Sequence, residues 1–410
     1  MLNWIWAGFF LAAFLAALVQ SLLLGNGAVW QELVGATFEM SRTGFEISLG
    51  LTGVMCLWLG IMRVGERAGA VEGLAWAFGP LLRRLFPGIP PGHPAAGSIV
   101  MNMAANMLGL DNAATPLGLK AMKELQTLNR EPDTASDEQI LFLVINTSAV
   151  TLIPVPIFLY RAQLGAADPT DVFLPILIAT FCSTMVGLLA TALVQRLRLL
   201  DRVVLGYLGG MTAVILGLVA YFARLPREAM ERQSAVLANA LIFTVIILFL
   251  GLALWRRLPV YEVFIEGAKE GFSVAVGIIP YLVAMLVAIG VFRASGALDL
   301  LLDAVRQVVL AASLDARFVD ALPTALMKPL SGSGARALMI ETMKHSGADS
   351  FAGRLASVFQ GSTETTFYVL AVYFGSVGIR RTRHAVACGL AADAAGVLAA
   401  ILVAYLFFGR

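Results

Sequence analysis

Charge is the scarcest feature of this 410-residue sequence: only 14% of the residues are Asp, Glu, Lys or Arg, against about a quarter in a soluble domain. Hydrophobic residues make up 59%, and the mean hydropathy is +0.82. So little charge excludes an ordinary soluble enzyme. So much apolar material excludes a disordered chain, which combines low hydrophobicity with high net charge. A net charge of +2 leaves no basic surface for nucleic acid, whose binding runs on many phosphate contacts. Cysteine is nearly absent, and Cys56, Cys182 and Cys388 each sit in an apolar run without C-x-x-C or Cys/His spacing. They read as small buried hydrophobes, not as a disulfide framework or metal centre. His93, His345 and His384 are far apart, and no H-E-x-x-H or G-x-x-x-x-G-K-[ST] occurs. The Ser-Gly-Ser-Gly run at 331–334 is not a G-x-S-x-G elbow. No catalytic residue, metal or cofactor is therefore expected, and ATP or GTP does not power the chain directly.

What fills the sequence is long apolar runs. A helix needs about 20 mostly apolar residues to cross a bilayer. Residues 1–31, 172–194, 203–222, 235–255 and 273–292 meet that length without a charge. Residues 44–62 carry Glu46, 139–160 carry Asn146, Pro154 and Pro156, 355–379 carry Glu364, and 384–409 carry Asp393. The expectation is an all-α polytopic membrane protein with about nine spanning helices. A β-barrel is excluded because its strands alternate apolar and polar residues. The N-terminal run lacks a basic n-region and reads as a retained helix, not a cleaved signal.

The sequence also repeats itself. Gly44-Phe45 matches Gly271-Phe272 and Gly69-Ala70 matches Gly296-Ala297, both at an offset of 227. Met122-Lys123 matches Met343-Lys344 at 221, Ser148 and Thr151 match Ser362 and Thr365 at 214, and 187–194 match 396–403 at 209. The order is kept and the offset shrinks, as it would if loops shortened in the second copy. Each copy has a span, an amphipathic stretch, a polar interrupted segment and two more spans. Residues 1–200 form the first copy, with an N-terminal helix at 1–31; 201–256 form two connecting spans; 257–410 form the second copy. Five crossings separate equivalent spans, so the copies are expected to be inverted, as in many secondary transporters. Loops 195–202, 256–272 and 380–383 carry three Lys/Arg each, while 25–43, 161–171 and 223–234 carry one, one and three. The positive-inside rule then puts the N-terminus in the cytoplasm.

Candidate site residues lie where the apolar pattern fails. Residues 98–125 hold Asn102, Asn106, Asp111 and Asn112, the first two on one helix face. Thr115-Pro116 reads as a helix start, Thr as N-cap and Pro at the first helical position, after a break over 109–114. In the second copy Lys328-Pro329 stops a helix, Ser331 to Gly334 form the break, Ser333 reads as the next N-cap, and Arg336 follows. Helix starts of this kind suit anionic or strongly polar ligands. Each broken segment precedes a polar span, with Asn146, Ser148 and Thr151 in one and Gln360, Ser362, Thr363, Glu364 and Thr365 in the other. Together these are the expected solute-binding residues. Glu364 and Asp393, ionisable within spans, are the expected ion- or proton-coupling groups. Each could instead be packing, as paired carboxyls or interhelical hydroxyls. The GxxxG at Gly206 and Gly210 reads as packing.

NMAANMLGLDNAATPLGLKAMKEL (102–125) with INTSAVTLIP (145–154) resembles the spore maturation protein A family. LPTALMKPLSGSGARALMIETM (322–343) with FQGSTETTFYVLAVYFGSVGIRRTRHA (359–385) resembles the spore maturation protein B family. The chain looks like a fusion of the two, over roughly 1–200 and 225–410. Both resemble the wider Gate, or nucleoside-recognition, membrane domains. The resemblance implies a multi-pass protein of the bacterial inner membrane with a transporter-like core. The resulting expectation is a permease for a small polar, anionic or nucleoside-like solute. The other reading is a non-transporting protein that organises envelope or spore-like maturation through partners. The expected partners are membrane lipid, the solute with a coupling ion or proton, and further copies of the chain in a homo-oligomer.

Overall fold

The computed structural model describes residues 2–109, 111–197 and 199–409; the side chains of residues 2, 111–113, 227 and 231 lie outside the description. In chain order the helices are α1 (Leu2–Leu23), α2 (Val29–Arg67), α3 (Ala70–Leu85), α4 (Pro94–Met107), α5 (Asp111–Gln126), α6 (Asp137–Thr147), α7 (Val155–Gln163) and α8 (Phe173–Gln195). Then come α9 (Arg202–Ala223), α10 (Arg227–Trp255), α11 (Val260–Ala294), α12 (Ala297–Ala311) and α13 (Leu322–Met327). The chain closes with α14 (Gly332–Ser346), α15 (Phe351–Ser362), α16 (Thr366–Ser376) and α17 (Ala385–Phe408). The fold is all-α and polytopic, with one isolated bridge, Thr134 to Arg381, and no named strand among the described residues.

Seven helices among the described residues are long and apolar enough to span a bilayer: α1, α2, α8, α9, α10, α11 and α17. Only 11% of the most apolar stretch of α1 and of α9 is buried in the chain, against 61% for α8. The first two thus leave most of their side chains uncovered by the rest of the chain, and α8 is a core helix. The two other expected spans, 139–160 and 355–379, are not continuous. Each is two short helices, α6 and α7 or α15 and α16, with a break at 148–154 or 363–365. Pro154 contributes to the first break, because a proline disfavours helix in the residue before it, here Ile153; Pro156 sits in the first turn of α7.

Local chemistry sets the helix starts. Ser136 and Gln139 form a reciprocal capping box on α6, Oγ accepting from the Gln139 N–H at 3.3 Å and Oε1 from the Ser136 N–H at 2.9 Å. Asp201 caps α9 through the Val203 N–H at 2.9 Å. Gly69 and Gly296, the repeat-equivalent pair, both sit in the left-handed region, at φ 86° and 71°, just before the amphipathic helices α3 and α12. Only glycine takes that conformation without strain, which explains the recurrence.

The chain divides into two compact units. Unit 1 comprises Met1–Gly60, Pro156–Pro169 and Glu266–Gln360; unit 2 comprises Ile61–Val155, Thr170–Ile265 and Gly361–Arg410. In unit 1, α2 and α11 pack closely and antiparallel. A Cβ on Gly44 would lie 3.1 Å from the Val283 backbone, and one on Gly271 would lie 2.8 Å from the Cys56 Cα. In unit 2, α8 and α17 do the same: a Cβ on Gly187 would lie 3.0 Å from Ala392, and one on Gly396 would lie 3.2 Å from Ser183. Cys388 is buried, as expected, but Cys56 and Cys182 are only partly so.

Candidate functional site

In unit 2 the two helix breaks come together against α8 and α17. Near the end of α6, Thr147 Oγ1 and Ser148 Oγ both donate back to the Val144 carbonyl, at 2.9 and 2.8 Å. Such local bonds compete with helix propagation. The freed backbone finds tertiary partners. The Leu152 N–H donates to the Met107 carbonyl at the end of α4 at 2.9 Å, and the Glu364 N–H donates to the Thr147 carbonyl at 2.8 Å. The second break is thus hydrogen-bonded directly to the edge of the first. Thr184 of α8 donates to the Ser148 carbonyl, Ser183 donates to the Ala392 carbonyl of α17 at 2.9 Å, and Thr366 donates to Asp393 Oδ2 at 2.7 Å. Glycine permits the close approach: a Cβ on Gly389 would lie 2.9 Å from Thr366, and one on Gly396 would lie 2.9 Å from Thr363.

The asparagines form a ladder beside this knot. Asn102 Nδ2 donates to the Ala114 carbonyl at 2.7 Å. Asn106 Nδ2 reaches Asn102 Oδ1 at 3.3 Å and Asn146 Oδ1 at 2.7 Å, and Asn146 Nδ2 donates to the Phe142 carbonyl at 2.9 Å. The ladder joins α4, α5 and α6, and the Tyr373 hydroxyl of α16 and Asn102 Nδ2 both crowd the space over Gly118 of α5. Amides tied end to end in this way, with Asn102 and Asn146 buried, fix one packing.

Several expectations change here. Thr115-Pro116 does not start a helix: α5 begins at Asp111 and carries Pro116 inside it. Of the residues between α4 and α5, Leu108 and Gly109, the latter at φ 70°, are described and lie outside the helices. The side chains of Asp111 and Asn112 lie outside the described residues. Glu364 does not lie within a helix; it lies in the break and its side chain is exposed. Asp393 is the buried carboxyl, 3% exposed. Ser148, Thr151, Thr363 and Glu364 do not share helical turns with Asn146 and Gln360, because they lie outside the helices. Ser362 ends α15 and is buried, as are Thr363 and Thr365.

The remaining expected residues belong to unit 1. The cap of α14 is Ser331, not Ser333: Ser331 Oγ accepts from the Gly334 N–H at 3.0 Å. The geometry requires it, since an N-cap side chain reaches the N–H two or three residues on, and α14 begins at Gly332. Ser333 Oγ stands 3.2 Å from Ser331 Oγ. Arg336 lies over the Tyr160 ring, 5.6 Å from its centroid. Gln360 is buried against the helix start, Nε2 3.5 Å from the Gly332 carbonyl.

Sequence reasoning missed Ser183 and Thr184. The repeat carried a signal for Thr184: the offset of 209 aligns it with Asp393, so each copy puts one polar side chain at that helix position. Among the described residues no group of three or more His, Cys, Asp or Glu side chains could hold a metal ion.

Paired antiparallel glycine-lined helices, each copy with a broken helix at its polar centre, define a duplicated polytopic membrane protein. The Gate family model, described as nucleoside recognition, matches residues 48–164 and again 275–380, just over half of the chain; the chain belongs to the Gate family. It is 51% identical over 154 residues to spore maturation protein B of Bacillus subtilis (strain 168), covering 38% of this chain and 85% of that protein. It is 41% identical over 158 residues to spore maturation protein A of the same organism, covering 38% of this chain and 80% of that protein. No solved structure matches the chain.

Proposed function

We propose that the chain is a permease of the bacterial cytoplasmic membrane that passes a small polar solute, nucleoside-like or anionic, without altering it chemically. The observation that carries the reading is a symmetry in the glycine contacts. Exchanging the copies at the offset of 227 converts Gly44·Val283 into Gly271·Cys56, and at 209 it converts Gly187·Ala392 into Gly396·Ser183. Antiparallel helices whose contacts map onto themselves under exchange are related by a two-fold axis perpendicular to them. For membrane-crossing helices that axis lies in the membrane plane, which is the inverted-repeat arrangement of secondary transporters. The joined breaks of unit 2 support the same reading, since non-helical backbone at membrane depth is tolerated only where it is buried in protein or lines a watery cavity. Glu364, exposed at the break, and Asp393, buried behind it, are the groups to carry a coupling proton or ion. The partners required are lipid, the solute and that ion; a homo-oligomer is compatible with the reading.

The names of the two relatives favour a second reading, a maturation protein that moves no solute. Uptake into proteoliposomes of the purified full chain separates the two, with a panel of labelled nucleosides and small carboxylates. Saturable, protein-dependent uptake of one class supports the permease. Folded protein that moves nothing on the panel favours the second reading.

A further inference from the structure

Unit 1 holds a cavity unlike the asparagine-rich centre of unit 2. Ile278, Tyr281 and Leu282 of α11 face Ser333 and Arg336 of α14 across about 250 Å³. The walls are fixed to each other, because Arg293 near the end of α11 is ion-paired with Glu341 of α14, Nη2 to Oε2 at 3.0 Å. The cavity lies halfway along the 35-residue α11, at the depth of the bilayer centre if α11 spans it. Pro280, inside that helix, lacks the N–H that would bond the Val276 carbonyl. The lining combines apolar surface with one phenol, one hydroxyl and one guanidinium. A guanidinium at that depth is costly, and such residues mark solute or ion pathways.

The cationic end is built rather than incidental. Arg336 Cζ lies over the ring of Tyr160, itself buried, 5.6 Å from its centroid, a contact that favours a cation at this place beside the cavity. Ser333 sits in the first turn of α14, where the helix adds partial positive charge. Tyr281, 65% exposed, supplies an aromatic face at the mouth.

We propose that this cavity binds the carboxylate or phosphate group of a small amphiphilic molecule. Arg336 and Ser333 hold the anion, and Ile278, Tyr281 and Leu282 cover its apolar or aromatic body. The proposal deepens the permease reading and rests on it for its role, though not for binding. A soluble solute and a lipid headgroup share this chemistry.

The test is calorimetric titration of the purified full chain with phenyl phosphate, inorganic phosphate and neutral benzyl alcohol, in phosphatidylcholine and in phosphatidylglycerol nanodiscs. Phenyl phosphate should bind saturably, and benzyl alcohol at least about tenfold more weakly. Arg336→Gln should weaken phenyl phosphate by about tenfold or more, and Arg336→Lys by less. Tyr281→Ala, at an exposed side chain that folding does not need, should weaken phenyl phosphate and leave inorganic phosphate unchanged. Loss of the probe only in phosphatidylglycerol identifies a lipid headgroup as the source; binding in both lipids identifies a soluble anion. Phenyl phosphate binding that is absent, or equal in wild type and Arg336→Gln, overturns the proposal. Arg336-dependent binding without any uptake in proteoliposomes would sink the permease reading and leave the anion site standing.

Discussion

Arg161, near the end of α7, is fully buried, and its surroundings fix how its loss should behave. Its guanidinium donates to the Ala348 carbonyl at 2.8 Å, to the Pro169 carbonyl at 3.2 Å and to the Asp168 carbonyl at 3.4 Å. It also meets Asp349 Oδ1 at 3.2 Å. The bonds tie the first copy of the repeat to the loop between α14 and α15 of the second. Arg161→Ala leaves buried carbonyls without donors and a large void, which should cost about 3–5 kcal/mol. The carboxylate is a lesser part of this, because Asp349 is 36% exposed and water can solvate it once the guanidinium is gone. Asp349→Ala should therefore cost only about 1–2 kcal/mol. The coupling between the two in a double-mutant cycle should be about 1 kcal/mol. Arg161→Lys keeps the charge but not the fork, and should fall between wild type and alanine. Equilibrium unfolding in mixed detergent micelles measures all four. A coupling energy equal to the whole Arg161→Ala effect would refute the reasoning, since the pair rather than the carbonyls would then carry the stability. So would an Arg161→Ala loss below about 1 kcal/mol.

Gly396→Ala should destabilise by about 1 kcal/mol or more, because its Cβ would meet Thr363 at 2.9 Å and Ser183 at 3.2 Å. Gly217→Ala, in open space on α9, should instead gain up to about 1 kcal/mol, both read by the same unfolding assay. Glu364→Gln should abolish the pH dependence of solute uptake in vesicles while leaving folding intact; superimposable pH profiles would assign Glu364 no coupling role. Burial, together with neighbouring Arg383, lowers the His384 pKa against the opposing pull of Asp137. Its neutral ring nitrogen stands 3.0 Å from Gln195 Nε2. The resulting stability is full above the unfolded value of about 6.5 and is lost as pH falls through the folded value. Melting temperature should therefore drop on acidification below about pH 6.5, and by less in His384→Gln.

The parts legible from sequence were those that local spacing controls. Gly69 and Gly296 recur because each helix start needs a left-handed residue, and the long apolar helices follow from hydropathy alone. The breaks were harder. Averaged over 355–379 the chain is apolar enough to cross a membrane, and the interruption at Thr363–Thr365 draws on a bond from Glu364 to Thr147, which no local pattern reveals. The Thr115-Pro116 pair carries a helix-start signature, yet α5 begins four residues earlier, and Asn102 satisfies the Ala114 carbonyl within its early turns. In Ser-Gly-Ser-Gly both serines are eligible caps, and only the three-residue reach from Ser331 to the Gly334 N–H distinguishes them. Arg161 read as one more loop charge for the positive-inside count. Its burial depends on Ala348 and Asp349, nearly two hundred residues away.

That distance carries a consequence for how the chain holds together. Unit 1 draws α1, most of α2, and α7 from the first copy and α11 to α15 from the second; unit 2 draws α3 to α6 and α8 from the first, α16 and α17 from the second, and the connecting helices α9 and α10. A cut in the turn at 224–226, between α9 and α10, therefore divides both units rather than parting them. The fragment ending there keeps α8, whose Ser183 and Gly187 are built to meet Ala392, but loses α17; it keeps Arg161 with the Pro169 and Asp168 carbonyls but loses the Ala348 carbonyl and the Asp349 carboxylate. A buried guanidinium stripped of its charge partner and a small-residue helix face without its neighbour are both costly in lipid. The two fragments, co-expressed as separate chains, should consequently co-purify as one complex with the unfolding profile of the intact protein, and each alone should be degraded or aggregate. Arg161→Ala in the first fragment should weaken the complex as it weakens the intact chain. If instead each fragment is monodisperse and folded by itself, the copies are independent domains bounded near 1–200 and 257–410, and the interlocked packing is not what stabilises the protein.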